Sequence, residues 1–152
     1  MVKILFVCHG NICRSVMAEY MFKYLLKENG MEDQFEVSSA GTSSEELGND
    51  IYPPAKKELD KHDIPYQKHS ARKLTKEDYQ YYDLLIGMDF MNVANMNRMF
   101  DNDPDNKIRM LMRKDIDDPW YTGDFDSCYQ EIMFGLRVMI NVFERNKQKA
   151  GL

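Results

Sequence analysis

The run KILFV at residues 3–7 is apolar at every position after its lysine and leads directly into Cys8. A strand without polar alternation must bury both faces, as a central strand of a parallel sheet does. The loop CHGNICRS follows, and from Arg14 onward Ala18, Met21, Phe22, Leu25 and Leu26 recur at helical spacing, with Gly30 placed as a C-terminal cap. Strand, loop and helix in that order open a βαβ unit, whose sheet needs helical cover on both faces.

The rest of the chain repeats the alternation. QFEVSSAGT (34–42) reads as a second strand, and PPAKKELDKH (53–62) as a helix opened by prolines and stopped at Ile64–Pro65. TKEDYQYY (75–82) carries a Thr75–Asp78 capping pattern, DLLIGM (83–88) is a third buried strand, and Asp89 can cap a helix through FMNVANMNRMF. KIRMLM (107–112) is a fourth strand, and after the loop RKDIDDPWYTGDFD the residues Ile132, Leu136, Met139, Ile140 and Phe143 describe a long amphipathic helix. No repeat or linker divides the chain. The fold expected is α/β: a single three-layer domain over residues 1–152, with a four-stranded parallel sheet in the order 2-1-3-4 and helices on both faces. Ligands of such sheets collect beyond the carboxyl ends of the strands, where the winding reverses, and Cys8 stands at one of those ends.

Charge and cysteine usage narrow the function. A formal charge of −5 from 20 basic and 25 acidic residues argues against a nucleic-acid partner, which calls for a basic face. No apolar run approaches the roughly twenty residues of a membrane span, and the N-terminus has no small-residue cleavage site, so no membrane association is expected. Three cysteines, an odd number, do not form a secreted disulfide framework. The expectation is a monomer in the cytoplasm.

The loop after the first strand has its own chemistry. Successive amide N–H groups at a helix N-terminus form a concave anion site, and Gly10 and Asn11 tolerate the left-handed backbone such a cradle needs. The same field favours a thiolate at Cys8, hence a nucleophile. Arg14 can curl back with a planar fork matched to two oxygens of a tetrahedral oxyanion, and the Ser15 hydroxyl can donate to the thiolate. No nucleotide or dinucleotide glycine motif is present, and the spacing of Cys8, His9 and Cys13 is not that of a metal site, so neither metal nor cofactor is expected.

The segment VCHGNICRS is closely similar to the C-x5-R-[ST] phosphate-binding loop of the low-molecular-weight protein tyrosine phosphatases, and the resemblance extends over essentially the whole chain. It implies that phosphate is bound by His9, Gly10, Asn11, Ile12, Cys13 and Ser15 together with Arg14, with His9 contributing its main-chain amide. In DDPWYTG (117–123), Asp118 before Pro119 matches the family's general acid, with Asp117 as runner-up; Trp120, where the family commonly has Tyr, and Tyr121 would wall the substrate. SSAGT matches a segment whose Ser39 contacts the phosphate loop. HSARKLTKED matches one whose His69 joins Asn11 and Ser15 in a supporting network, and GMDFMN one in which Asp89 is structural. Where several relatives carry an aromatic wall after SAGT, this chain has Glu45 and Glu46, which disfavour strongly acidic phosphopeptides.

The expected activity is hydrolysis of a phosphotyrosine-containing protein or aryl phosphate, with Cys8 as nucleophile, Arg14 as clamp and Asp118 as acid and then base. Cys13 could form a disulfide with Cys8 under oxidation, or simply pack beneath the loop. Three alternatives remain: a protein arginine phosphatase, a thiol-dependent arsenate reductase, for which Cys128 is the sole further thiol, and a non-catalytic phosphoresidue-binding module.

Overall fold

In the computed structural model, which describes residues 1–149, the N-terminal apolar run forms β1 (Val2–Cys8), with Ile4 through Val7 fully excluded from solvent. It is central because both of its edges are paired. On one side lies β2 (Phe35–Gly41), in parallel register from Val2 opposite Phe35 to Cys8 opposite Gly41; on the other lies β3 (Leu84–Gly87), from Ile4 opposite Leu84 to Val7 opposite Gly87. The outer strand β4 (Ile108–Met110) pairs with β3, and the order is β2-β1-β3-β4. The expected sheet is the observed one.

Alternation along β1 divides the interior into two cores. Ile4 and Phe6 face α1 (Arg14–Glu28), α2 (Pro53–Lys61) and α6 (Phe125–Lys149), packing with Met17, Met21, Phe22, Leu59, Ile132 and Leu136. Leu5 and Val7 face the opposite side, where Tyr79 of α3 (Lys76–Tyr81) and Met96 of α4 (Phe90–Met99) meet them. A one-residue slip of β1 would exchange these two sets, so the register is strongly specified.

Local signals act where the sequence sets them. Gly30 has φ +65° and closes α1 by a Schellman pattern, with Met31 N–H donating to the Leu26 carbonyl at 2.8 Å. Thr75 and Asp78 cap α3 reciprocally, as Asp89 and Asn92 do for α4. Two expectations need correction. The fourth strand covers three residues instead of six, because Leu111 donates to the Gly87 carbonyl and the chain then turns away from the sheet. The loop 113–126 contains one helical turn, α5 (Pro119–Thr122), started by Pro119 at its first position and closed by Gly123 at φ +73°.

The chain leaves β1 toward β2 on one side and returns to β3 on the other, so the winding reverses between the carboxyl ends of β1 and β3. Cys8 ends the first and Asp89 follows the second. No described helix is long and apolar enough to cross a membrane.

Candidate active site

The loop between β1 and α1 turns on Asn11, which has φ +60° and a fully buried side chain. Asparagine tolerates this left-handed conformation because its short amide finds local partners. Here Asn11 Nδ2 donates to Ser15 Oγ at 2.9 Å and to Ser39 Oγ at 3.0 Å, while its Oδ1 accepts the Arg72 main-chain N–H at 3.1 Å. The last contact fixes which end of the amide is oxygen, so the others have a direction. Ser39 donates onward to Glu19 Oε1 at 2.7 Å. Ser15 Oγ, an acceptor from Asn11, also accepts from the Cys8 thiol at 3.0 Å through its second lone pair. The Asn11 main-chain N–H donates to the same sulfur at 3.3 Å.

The loop is held from behind as well. His69 Nε2 lies 2.7 Å from the Asn11 main-chain carbonyl oxygen, so this histidine meets the backbone of Asn11 and not its amide. Asp50 accepts the His69 main-chain N–H at 2.9 Å, and the Tyr52 N–H caps the Ile12 carbonyl at 3.0 Å. Gly41 allows the close approach of β2: a Cβ there would stand 2.8 Å from the His9 carbonyl oxygen, in a space that admits no side chain.

Arg14 begins α1 with only 2% of its surface exposed. Its Nη1 donates to Asp89 Oδ2 at 2.7 Å and to the Ile116 carbonyl at 2.8 Å, and its Nη2 lies 3.4 Å from Asp118 Oδ2. Its Nε is buried and has no partner among the described residues. Burial by itself would lower the guanidinium's affinity for its proton, but Cys8, Asp89 and Asp118 together raise it, so the charge is permanent.

Asp118 caps α5, its Oδ1 accepting the Trp120 N–H at 3.1 Å, which leaves Oδ2 toward Arg14. Asp118 lines an open cleft together with Cys8, His9, Gly10, Ile12, Cys13, Trp120 and Tyr121. Asp117, the runner-up, faces a different hollow beside Thr122 and Cys128. Of the residues named from the sequence, Asn11, Arg14, Ser15 and Ser39 are absent from the cleft lining and form its buried support, with the half-buried His69 behind them. Trp120 packs on Tyr52 with ring centroids 4.7 Å apart, which gives the cleft an aromatic wall.

The three thiols differ in environment. Burial, then the neighbouring Cys8 and Asp118, push the Cys13 thiol far up from its ordinary value, and burial pushes Cys128 up to about 12. Both stay protonated at neutral pH. Glu58, His62 and Asp126 bring potential ligand atoms within 4.8 Å of one another, but the Lys61 ammonium stands 3.3 Å from Asp126, and none of the three lines the cleft.

Sequence reading missed Glu19 as a contributor and, for Asp89, the pairing with Arg14. Glu19 lies four residues after Ser15 on the buried face of α1, and a carboxylate on an apolar stripe is itself a signal that a polar partner waits there. Asp89 was read as structural; its ion pair with Arg14 spans 75 residues and leaves no mark in local sequence.

Comparison with known proteins places the chain in a family. Residues 3–149 match the family model described as low molecular weight phosphotyrosine protein phosphatase. The low molecular weight protein-tyrosine-phosphatase YfkJ of Bacillus subtilis (strain 168) is 31% identical over 155 residues, covering 97% of this chain and 99% of that one. Its crystal structure superposes with a TM-score of 0.92 over 97% of both chains, at 30% identity. The low molecular weight protein tyrosine phosphatase SP-PTP of Streptococcus pyogenes gives a TM-score of 0.87 at 35% identity, over 93% of this chain and 92% of that one. The Drosophila arginine phosphatase DARP gives 0.86 at 26% identity, over 93% and 98%.

Proposed function

Because the chain belongs to the low molecular weight phosphotyrosine protein phosphatase family, we propose that it hydrolyses phosphotyrosine and other aryl phosphate monoesters through a cysteinyl-phosphate intermediate. One observation carries this reading. A buried guanidinium, Arg14, holds an unpartnered Nε beside a thiol and a carboxylate that line one cleft. Buried donors are almost always satisfied, and a phosphate oxygen seated on the loop amides supplies the acceptor.

In this reading the phosphate dianion rests on the amides of residues 9–15 with Arg14 across its equatorial oxygens. Cys8 sulfur attacks phosphorus in line, and the bond to the phenolic oxygen breaks as Asp118 gives that oxygen its proton. Asp118, now ionised, takes a proton from water, whose oxygen attacks the cysteinyl phosphate and releases inorganic phosphate and the Cys8 thiolate. Arg14 and the amides stabilise the charge that develops in both steps, and Ser15 stabilises the departing thiolate.

Aryl esters are preferred over phosphoarginine because Ile12 and the Trp120 indole offer a flat apolar wall to a ring. The reading includes a monomer in a reducing, cytoplasmic compartment, supported by three free cysteines. It also includes protection of Cys8 by a disulfide with Cys13, supported by the latter's place in the same cleft.

The test is turnover of p-nitrophenyl phosphate, a phosphotyrosine peptide and a phosphoarginine peptide by the parent, Cys8→Ser and Asp118→Asn. Cys8→Ser is expected to be inactive, and Asp118→Asn to lose roughly 10²-fold or more on phosphotyrosine but less on the better nitrophenolate leaving group. A Cys8→Ser protein with the parent's rate overturns the mechanism. Faster phosphoarginine turnover overturns the substrate class.

A further inference from the structure

The rim of the cleft has the opposite charge to its floor. Beneath the floor lies the buried Arg14 guanidinium, whereas Glu45, Glu46 and Asp118 are part of the lining and no lysine or arginine is. The segment that carries Glu45 and Glu46 is fastened to the loop, and Glu46 is held further by Asn49. Thr42 and Ser43 donate their main-chain N–H groups to the carbonyls of Cys8 and His9 at 2.9 and 3.1 Å, which fastens this segment to the phosphate loop. Asn49 returns to Glu46 twice, main chain to main chain at 2.9 Å and Nδ2 to Oε2 at 2.7 Å.

Glu46 is half-buried against the loop, its Cγ 3.4 Å from where a Cβ on Gly10 would be, and its carboxylate is bonded to a neutral amide. Glu45 has His9 Nε2 at 3.1 Å and is otherwise open to solvent. Across the cleft stand Trp120 and Tyr121, the latter 81% exposed. Carboxylates sharing a cleft with exposed aromatic rings are the chemistry that recognises a guanidinium or ammonium group, by ion pairing and by ring contact.

Resting on the phosphatase reading above, we propose that the substrates are phosphotyrosine peptides with a lysine or arginine within a residue or two of the phosphorylated side chain, and that Glu45 and Glu46 select them. The phosphate settles on the positive floor while the adjacent cation bridges rim carboxylate and aromatic wall. An acidic neighbour brings like charges together and is rejected.

The experiment compares three phosphotyrosine peptides that differ only in carrying Arg, Ala or Glu beside the phosphotyrosine, with kcat/KM measured for the parent and for E45Q/E46Q. The parent is expected to favour the Arg over the Glu peptide by on the order of tenfold, through KM more than kcat. In the variant that ratio should collapse toward one. Raising salt on the parent, which needs no mutant, should shrink the same ratio. Equal rates on all three peptides, a preference for Glu, or an Arg preference that survives in the variant each overturn the proposal while leaving the phosphatase reading intact. Failure of the parent to hydrolyse any of them would instead strike at that reading.

Discussion

Arg14 Nη1 stands 2.7 Å from Asp89 Oδ2, which joins the first residue of α1 to the residue that caps α4 across the two strand ends where the winding reverses. The pair binds the phosphate clamp to the scaffold. The same carboxylate accepts the Asn92 N–H through Oδ1 at 2.7 Å, so Asp89 both starts a helix and aims a guanidinium.

Replacing Asp89 by Asn separates those two duties. The cap survives, because an amide oxygen still accepts from Asn92, but Arg14 loses a charged partner in a site where it is almost wholly buried. A buried charge that loses its shortest ion pair and keeps only the longer one to Asp118 is costly, and Asp89→Asn is expected to lose about 2 kcal/mol of stability in urea unfolding. With the fork no longer braced, KM for an aryl phosphate should rise as well. An unchanged urea midpoint would show that the Ile116 carbonyl and Asp118 suffice to hold Arg14.

Ser15→Ala tests the contact between the loop serine and the nucleophile. Cys8 Sγ and Ser15 Oγ lie 3.0 Å apart, and once the thiol has given up its proton only the serine can donate, a hydrogen bond to a charged sulfur being worth roughly 1.5–3 kcal/mol. Alkylation of Cys8 by iodoacetamide at neutral pH should therefore slow by about tenfold or more. Cys13 and Cys128, both held protonated by burial, should stay unlabelled in parent and variant alike. Labelling of the variant at the parent's rate would show that Ser15 does not stabilise the Cys8 thiolate.

Asn11 supplies backbone and side chain at once, and two substitutions divide them. Asn11→Gly keeps an easy φ of +60° but leaves the Arg72 N–H and both serines short of a partner, at a cost of about 2 kcal/mol. Asn11→Ala suffers the same loss and adds roughly 1–2 kcal/mol of left-handed strain. Chemical denaturation should therefore rank the proteins parent, glycine variant, alanine variant. A reversed order of the two variants would mean that the loop relaxes out of its left-handed turn.

What could be read from the sequence was whatever physics acts within a few residues. The buried strand 3–7, the glycine at the end of α1, the Thr75–Asp78 box and the Asp89 cap are local, and the structure contains each of them. The one-turn α5 was hidden because four residues carry no periodicity, although Pro119 and Gly123 bracketed it. The short reach of β4 was hidden because Leu111 and Met112 are apolar for the sake of helix packing: a Cβ on Gly135 of α6 would meet the Leu111 side chain at 2.7 Å. At the site, the loop motif named Cys8 and Arg14, but the carboxylates that steady them come from elsewhere. Asp89 reaches Arg14 from 75 residues away and Glu19 reaches Ser39 across 20, and only the folded arrangement pairs them.

Acid should loosen the support behind the loop in a defined window. The Lys56 ammonium, donating to Asp50 Oδ2 at 2.7 Å, and the His69 main-chain N–H, donating to Oδ1 at 2.9 Å, hold the Asp50 carboxyl down from 3.8 to about 2. A carboxyl lowered in the folded state contributes stability that is fully present above its unfolded value. That contribution is lost as pH falls through the folded one, here between 3.8 and about 2. Because a third of the side chain is exposed, solvent screening discounts the effect to about 1 kcal/mol. The Asp50→Asn protein should thus melt below the parent at neutral pH by about 3 °C and converge with it as pH approaches 2. Thermal midpoints of both proteins across this range decide the matter. Asp78 and Asp103 are lowered too and titrate identically in both, so they cancel from the difference. A gap that persists unchanged to the lowest pH would assign the loss to altered hydrogen bonding at His69 and not to the charge on Asp50.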